Sequence, residues 1–507
     1  MGIFNTVPVQ KPKHSAFDLS YNNFFTCNMG ELIPSLVLPI MPGDKIMYSP
    51  TFQVRFAPMV NPVFGDIYAK QECFFVPYRL LWDGWKSFIT QYKQKGFPAQ
   101  SGSINVPDSI PSVFAVRSSL GNITDEDVSG ARLADFFGAT GFYRFVLSQK
   151  SSVGDWPSGS DKFSFNCFPF HAYSLIWNEY YRDEFVDAEL ATSSVSTLFG
   201  VSLRNFRVLK RRWAKDYFTT ATPNPQYGGV GASVSVTGTA SLTSGAVTGS
   251  FTVAQMRFAN ALQKFLERTN IGGGRYNEFI LAHFGCMPTD ATIDRPEFLG
   301  SVTAPVQVNA VANTAGVGAT SQASISDAQG SLAGTASAVG TKFCFSRSFK
   351  EYGIILGLFS VAPRPIYSDG ISRYLHASIP SDFCLPEFAS VGDQAIDKSE
   401  LSAQSYISYG QTFGYQQRYA EYKFHNDEVH GDFALDDKLP TYTFARFFDS
   451  VVSLNPDFLE CNPRTNCFVT LIQRGQTDNP NADTCWVQLR NNIKAIRPLP
   501  RYSTPTL

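Results

Sequence analysis

The stretch FPFHAYSLIWNEYYRDEFVD (168–187) gathers the residue types of an acid–base site. His171 can carry a proton, and Glu179, Asp183, Glu184 and Asp187 supply carboxylates. A glycoside hydrolase needs two such carboxyls across a cleft, usually from different elements. Here the apolar spacing predicts one helix running from Ala172 to Leu190, with Leu175, Ile176, Trp177, Tyr180 and Phe185 on a broad apolar face. Glu179 and Asp183 stand four apart on one side of it and repel. The stretch reads as a helix packed on an aromatic core with its acids in solvent, because that apolar face is too wide to line a solvent-filled pocket.

Other candidate chemistry is thinner. In HNDEVHGD, His425 and His430 are five apart, not the four that set two ligands on one helical face. Asp427, Glu428 and Asp432 would suit a hard cation, but a solvated loop is the favoured reading, and any metal stays unknown. Cys461 and Cys467 lack the companion pair a zinc site requires. Gly272-Gly273-Gly274 follows a helical pattern and fits a helix stop, matching neither GxGxxG nor a P-loop. No GxSxG occurs. No catalytic residue and no cofactor is therefore assigned.

The strongest charge feature is RNFRVLKRRWAK, with Arg204, Arg207, Lys210, Arg211, Arg212 and Lys215 interleaved by Phe206 and Trp213. Cations beside aromatics suit single-stranded nucleic acid, by phosphate contact and base stacking. A basic surface that pairs with acids of a neighbouring chain fits the same residues. On the first reading the nucleic-acid-facing candidates are Arg204, Arg207, Lys210, Arg211, Arg212, Trp213 and Lys215.

The elements that must position these residues are mostly strands. At 45–56, KIMYSPTFQVRF alternates Ile46, Tyr48, Phe52, Val54 and Phe56 against polar residues, a half-buried strand whose Pro50 implies an edge or a bulge. Strands are also predicted at 67–76 and 485–495. Helices are predicted at 80–89 and at 252–270, the latter with Met256, Ala259, Leu262 and Leu266 on one stripe. Residues 98–130 and 151–160 read as loops. Residues 228–250 and 306–340 are rich in small residues and nearly free of charge, and read as exposed β-loops or hairpins growing from one body.

Composition agrees. Aromatics reach 14%, with 44 Phe and 22 Tyr, which favour pleated, half-buried surfaces. Charged residues make up only 17%, against about a quarter in ordinary domains, so neighbouring copies are expected to cover much of the surface. A net charge of -1 leaves a nucleic acid partner to be neutralised elsewhere. Nine scattered Cys without CxxC fit reduced thiols in a cytosolic setting. No signal core and no membrane-spanning run is seen, so no membrane insertion is expected.

Read together, an ordered set of stretches resembles one family. They include SAFDLSY (15–21), ELIPSLVLPIMPGD (31–44), ECFFVPYRLLWDGWKSF (72–88), FPFHAYSLIWNEYYRD (168–183) and KDYFTTATPNPQYG (215–228). LQKFLERTNIGGGRYNEFILAHFG (262–285), RPEFLG (295–300), FGYQQRYAEYKF (413–424) and AIRPLPRYS (495–503) complete it. The set resembles the major capsid protein of the microviruses, small single-stranded DNA bacteriophages, in their gokushovirus-like branch. Gly84 departs from the Asn expected there.

The resemblance implies a mainly β fold, an eight-stranded antiparallel jelly roll (β-sandwich) with long insertions containing a few helices. It implies a T=1-type icosahedral shell of many copies around circular single-stranded DNA, made and assembled in the bacterial host cytoplasm. Expected partners are other copies of the chain, the genome, a small basic DNA-associated viral protein and a host cell-surface receptor. The expected layout is an extended arm at 1–16, one body at 17–494 and an extended tail at 495–507. Residues 228–250 are the candidate threefold protrusion, and 306–340 are the second choice. The alternative is a β-rich carbohydrate-binding or glycoside-hydrolysing protein.

Overall fold

The computed structural model describes residues 13–90, 110–115, 125–150, 163–190, 201–229, 253–312, 332–403, 409–448, 450–469 and 483–502. Residues 1–12 of the expected arm, 230–250 and 313–331 of the small-residue segments, 98–109 and 116–124 of the first expected loop, and the loop 151–160 lie outside them.

Eleven strands build two facing antiparallel sheets. They are β1 (Ser15–Asp18), β2 (Tyr21–Cys27), β3 (Ile33–Ile40), β4 (Lys45–Phe56), β5 (Ile67–Pro77), β6 (Glu297–Pro305), β7 (Gln307–Ala312), β8 (Leu332–Thr341), β9 (Phe345–Ser348), β10 (Gly353–Pro363) and β11 (Cys485–Arg497). The larger sheet runs β1–β11–β4–β8–β7, with β2 also on β11 and β9 also on β4. The smaller runs β3–β10–β5–β6.

The expected alternation of β4 and β11 is present: every second residue is buried along both. Phe52, Val54, Val487, Leu489 and Ala338 meet Ile67, Ala69, Val302, Phe359 and Val361 of the smaller sheet. The Phe52 and Phe359 rings sit edge to face at 5.4 Å across the gap. Further along, Ile46, Tyr48, Ile493 and Ala495 pack on Leu36, Leu38, Ile355 and Phe75. This is a mainly β antiparallel sandwich with inserted segments.

Pro50 departs from its expectation. It lies in a central strand, paired opposite Asn491 of β11. On its other side β8 ends at Thr51 and β9 begins at Tyr48, so residues 49 and 50 fall between two partners. The missing N–H coincides with that break in the ladder, which is why proline is tolerated there.

The two sheets differ on their outer faces. β10 is buried along nearly its whole length. Its residues Ile354, Leu356 and Leu358 point away from the sandwich into a second core. That core is roofed by α1 (Asp125–Phe136), α2 (Thr140–Lys150) and α3 (Phe168–Tyr180). The larger sheet has no such roof among the described residues.

Three expectations shift. Residues 125–130, read as loop, form the first half of α1, with Asp125, Glu126 and Asp127 in its first turn, where carboxylates favour a helix start. The helix expected at 80–89 is two short ones, Tyr78–Leu81 and Trp85–Thr90. A Cβ at Gly84 would lie 2.5 Å from ring carbons of Trp82, so the tight corner between them needs glycine. Residues 15–16 and 495–497, placed in arm and tail, pair with each other as β1 against β11. The helix at 253–272 is present, with Met256 exposed.

Candidate nucleic-acid interface

The acid-rich stretch is a packing element. α3 begins at Phe168, four residues before the expected start, with Pro169 in its first turn. It ends at Tyr180, ten residues early. The cause is local: Asp183 Oδ1 accepts from the N–H groups of Phe185 and Val186 at 3.0 and 3.2 Å, a turn that competes with helix. His171 is buried against Phe206. Glu179 pairs with Arg295 at 3.3 Å. Glu184 accepts the Gly274 N–H at 2.6 Å. Burial raises the Asp183 and Glu184 carboxyls above their ordinary values. The acids thus point to separate partners and form no pair across a cleft.

The basic run leaves a short 3-10 turn at Leu203–Asn205 and crosses the molecule in extended form. It is anchored through its backbone. The Arg211 N–H donates to the Gly30 carbonyl at 2.8 Å, and the Trp213 N–H to Leu459 at 2.9 Å. Tyr173 Oη accepts from the Leu209 N–H at 2.9 Å, and Trp177 Nε1 donates to the Lys210 carbonyl at 3.1 Å.

Its side chains divide. Arg204 grips Asp127 with Nε at 2.5 Å and Nη2 at 2.8 Å. Lys210 meets Glu460 at 3.2 Å and Asn462 at 3.1 Å. Arg211 donates to Ser360 at 2.9 Å. Arg212 holds the buried Asp187, with Nε to Oδ2 at 2.9 Å, and lies 5.3 Å from the Trp177 ring centroid. Trp213 is buried beneath the Arg446 guanidinium, and Phe206 is buried on Phe170. Arg207 and Lys215 are exposed and have no ion pair among the described residues. Lys215 opens on a cavity of about 480 Å³ that also carries Arg364, Lys423, Phe424 and His425.

The remaining candidates stay apart. Asp427 faces Arg364 at 3.6 Å, and His430 lies 3.6 Å from Glu428. Among the described residues no group of three or more His, Cys, Asp and Glu is arranged to hold a metal ion. Cys461 and Cys467 are buried, and burial pushes both thiols up to about 12. A cavity of about 340 Å³ lies beside Arg373, His376, Glu400, Arg418 and Glu421. Its charges are engaged with one another, Arg373 with Glu400 at 2.8 Å and with Glu421 at 3.7 Å.

Among the described residues no helix is long and apolar enough to cross a membrane. Comparison with known proteins agrees with the architecture. A family model described as capsid protein (F protein) of phages matches residues 5–126, 158–247 and 243–507. "Capsid protein VP1" of Bdellovibrio phage phiMH2K is 27% identical over 90% of both chains. The protein of that name from Chlamydia phage 1 is 26% identical, over 99% of this chain and 97% of its own. That from Spiroplasma virus 4 is 24% identical, over 95% and 93%. A β-sandwich with inserted segments, matched along almost its whole length, is a virion protein: the chain belongs to the phage capsid protein (F protein) family.

Proposed function

We propose that the chain is the structural subunit of a T=1-type icosahedral shell that encloses circular single-stranded DNA. The observation that carries this is the family match, which extends over nearly the whole chain, sandwich and insertions together. The eleven-stranded sandwich supplies the core, built on a jelly-roll plan, and the inserted segments supply contacts between copies and the surface met by the host receptor. The role is structural, without catalysis, and assembly occurs in the host cytoplasm. Because the chain has a net charge of -1, a separate small basic protein neutralises part of the genome. Within the basic run, Arg207 and Lys215 are the cations assigned to the genome, since they remain exposed. The segment 228–250, of which 230–250 lie outside the described residues, stays the candidate protrusion.

The purified chain, examined by light scattering and negative-stain imaging, is expected to give uniform closed shells a few hundred ångströms across or smaller. A monodisperse monomer, unchanged when the basic viral protein is added, would overturn the reading.

A further inference from the structure

The exposed face of the larger sheet can be read row by row from its register. Arg55, Trp486 and Thr26 lie side by side on β4, β11 and β2. The next row is Gln53, Gln488 and Phe24, and the next is Thr51, Arg490 and Asn22. Then come Ser49 with Asn492, Met47 with Lys494 and Asp18, and Lys45 with Ile496 and Ala16. The outward positions of β7, β8 and β9 add only uncharged residues, such as Gln307, Asn309 and Val339.

Three properties of this face stand out. Its strand positions carry four cations, Lys45, Arg55, Arg490 and Lys494, against one carboxylate, Asp18, while at the edge of the face Asp483 accepts from the Thr26 hydroxyl. It carries two exposed aromatics on adjacent strands, Phe24 at 68% and Trp486 at 39% exposure. In the pleat these are diagonal neighbours, about 7–8 Å apart at Cα. Finally, amides line the rows between the cations, and no helix covers them among the described residues, whereas the smaller sheet is roofed by three.

We propose that this face binds single-stranded DNA, with bases stacked on Phe24 and Trp486 and phosphates held by Lys45, Arg55, Arg490 and Lys494. The proposal rests on the reading of the shell as a container for such a genome. Charge complementarity selects a polyanion. The aromatics select unpaired bases, since an open sheet with exposed rings stacks bases that a duplex keeps inside. The cations occur at several rows, so the contact follows a backbone and is not confined to one phosphate. The surface is separate from the basic run at 204–215, whose charges are largely engaged inside the subunit.

The test titrates the full-length chain with a labelled oligothymidylate at several salt concentrations. Replacing all four cations by Gln (Lys45→Gln, Arg55→Gln, Arg490→Gln, Lys494→Gln) is expected to reduce the steepness of log affinity against log salt by about 2.8. Phe24→Ala with Trp486→Ala is expected to weaken binding roughly tenfold or more at unchanged steepness. All six side chains are partly or fully exposed, and melting curves check that each variant folds. Arg207→Gln with Lys215→Gln serves as comparator. Loss of binding in the comparator alone overturns the sheet-face proposal and leaves the container reading standing. Equal affinity for a duplex of the same length overturns the stacking. A wild-type chain that neither binds the probe nor forms DNA-filled shells in the host overturns both.

Discussion

Asp187 shows how little of a charge cluster's fate is written in its own neighbourhood. Its side chain is 2% exposed and holds Arg212, itself only 15% exposed. Removing one partner of a buried pair strands the other, which typically costs about 3–5 kcal/mol. Asp187→Ala is therefore expected to lower stability by about 3 kcal/mol, read as a fall in the urea midpoint. Lys215→Gln, at an exposed position, is expected to change it by less than about 0.5 kcal/mol. The sequence displayed the six cations plainly. What it hid were Asp127 and Glu460, which come from 77 and 250 residues away to meet Arg204 and Lys210. Separation on that scale carries no local signal, so the run looked freer than it is.

Among the elements, strands with one wet face were legible and strands with two dry faces were not. β4 and β11 alternate because one side meets solvent. β10, GIILGLFSVAP, has no period of two because helices cover its outer side, and an unbroken apolar run cannot be told from a buried helix by pattern. α1 escaped notice because Gly130 and two alanines dilute its apolar face. Gly130 is required: a Cβ there would lie 2.5 Å from the Leu203 carbonyl oxygen, at the start of the basic run. Since β10 joins the two cores, a cavity in it is felt by both. Leu358→Ala, at a site 1% exposed, is expected to cost about 2–5 kcal/mol and to lower the yield of soluble protein. Thermal unfolding of the purified variant checks the first figure, and the soluble fraction on expression checks the second.

At the scale of the whole molecule, local pattern left two things open: the structure sets which strands face each other, and the family implies that copies assemble into a shell. The residues forming the candidate DNA face were visible as the polar half of two alternating strands. Their meaning appeared only once register set Phe24 beside Gln488 and Trp486 beside Arg55. One strand organises this sheet. β11 lies between β4 on one side and β1 with β2 on the other. A chain ended at residue 484 is expected to lose the larger sheet and elute as aggregate in gel filtration. A compact, soluble species with native-like strand content would contradict this.

The position of β11 also sets a clock. The strand that joins β1, β2 and β4 is made some 430 residues after β4. At about 5–20 residues per second, that is roughly 20–90 s of synthesis. Throughout that interval the nascent chain shows unpaired strand edges to its neighbours on the same message. Each subunit acquires its complete larger sheet only once β11 has been made. Unfinished chains thus lack the strand on which β1, β2 and β4 pair.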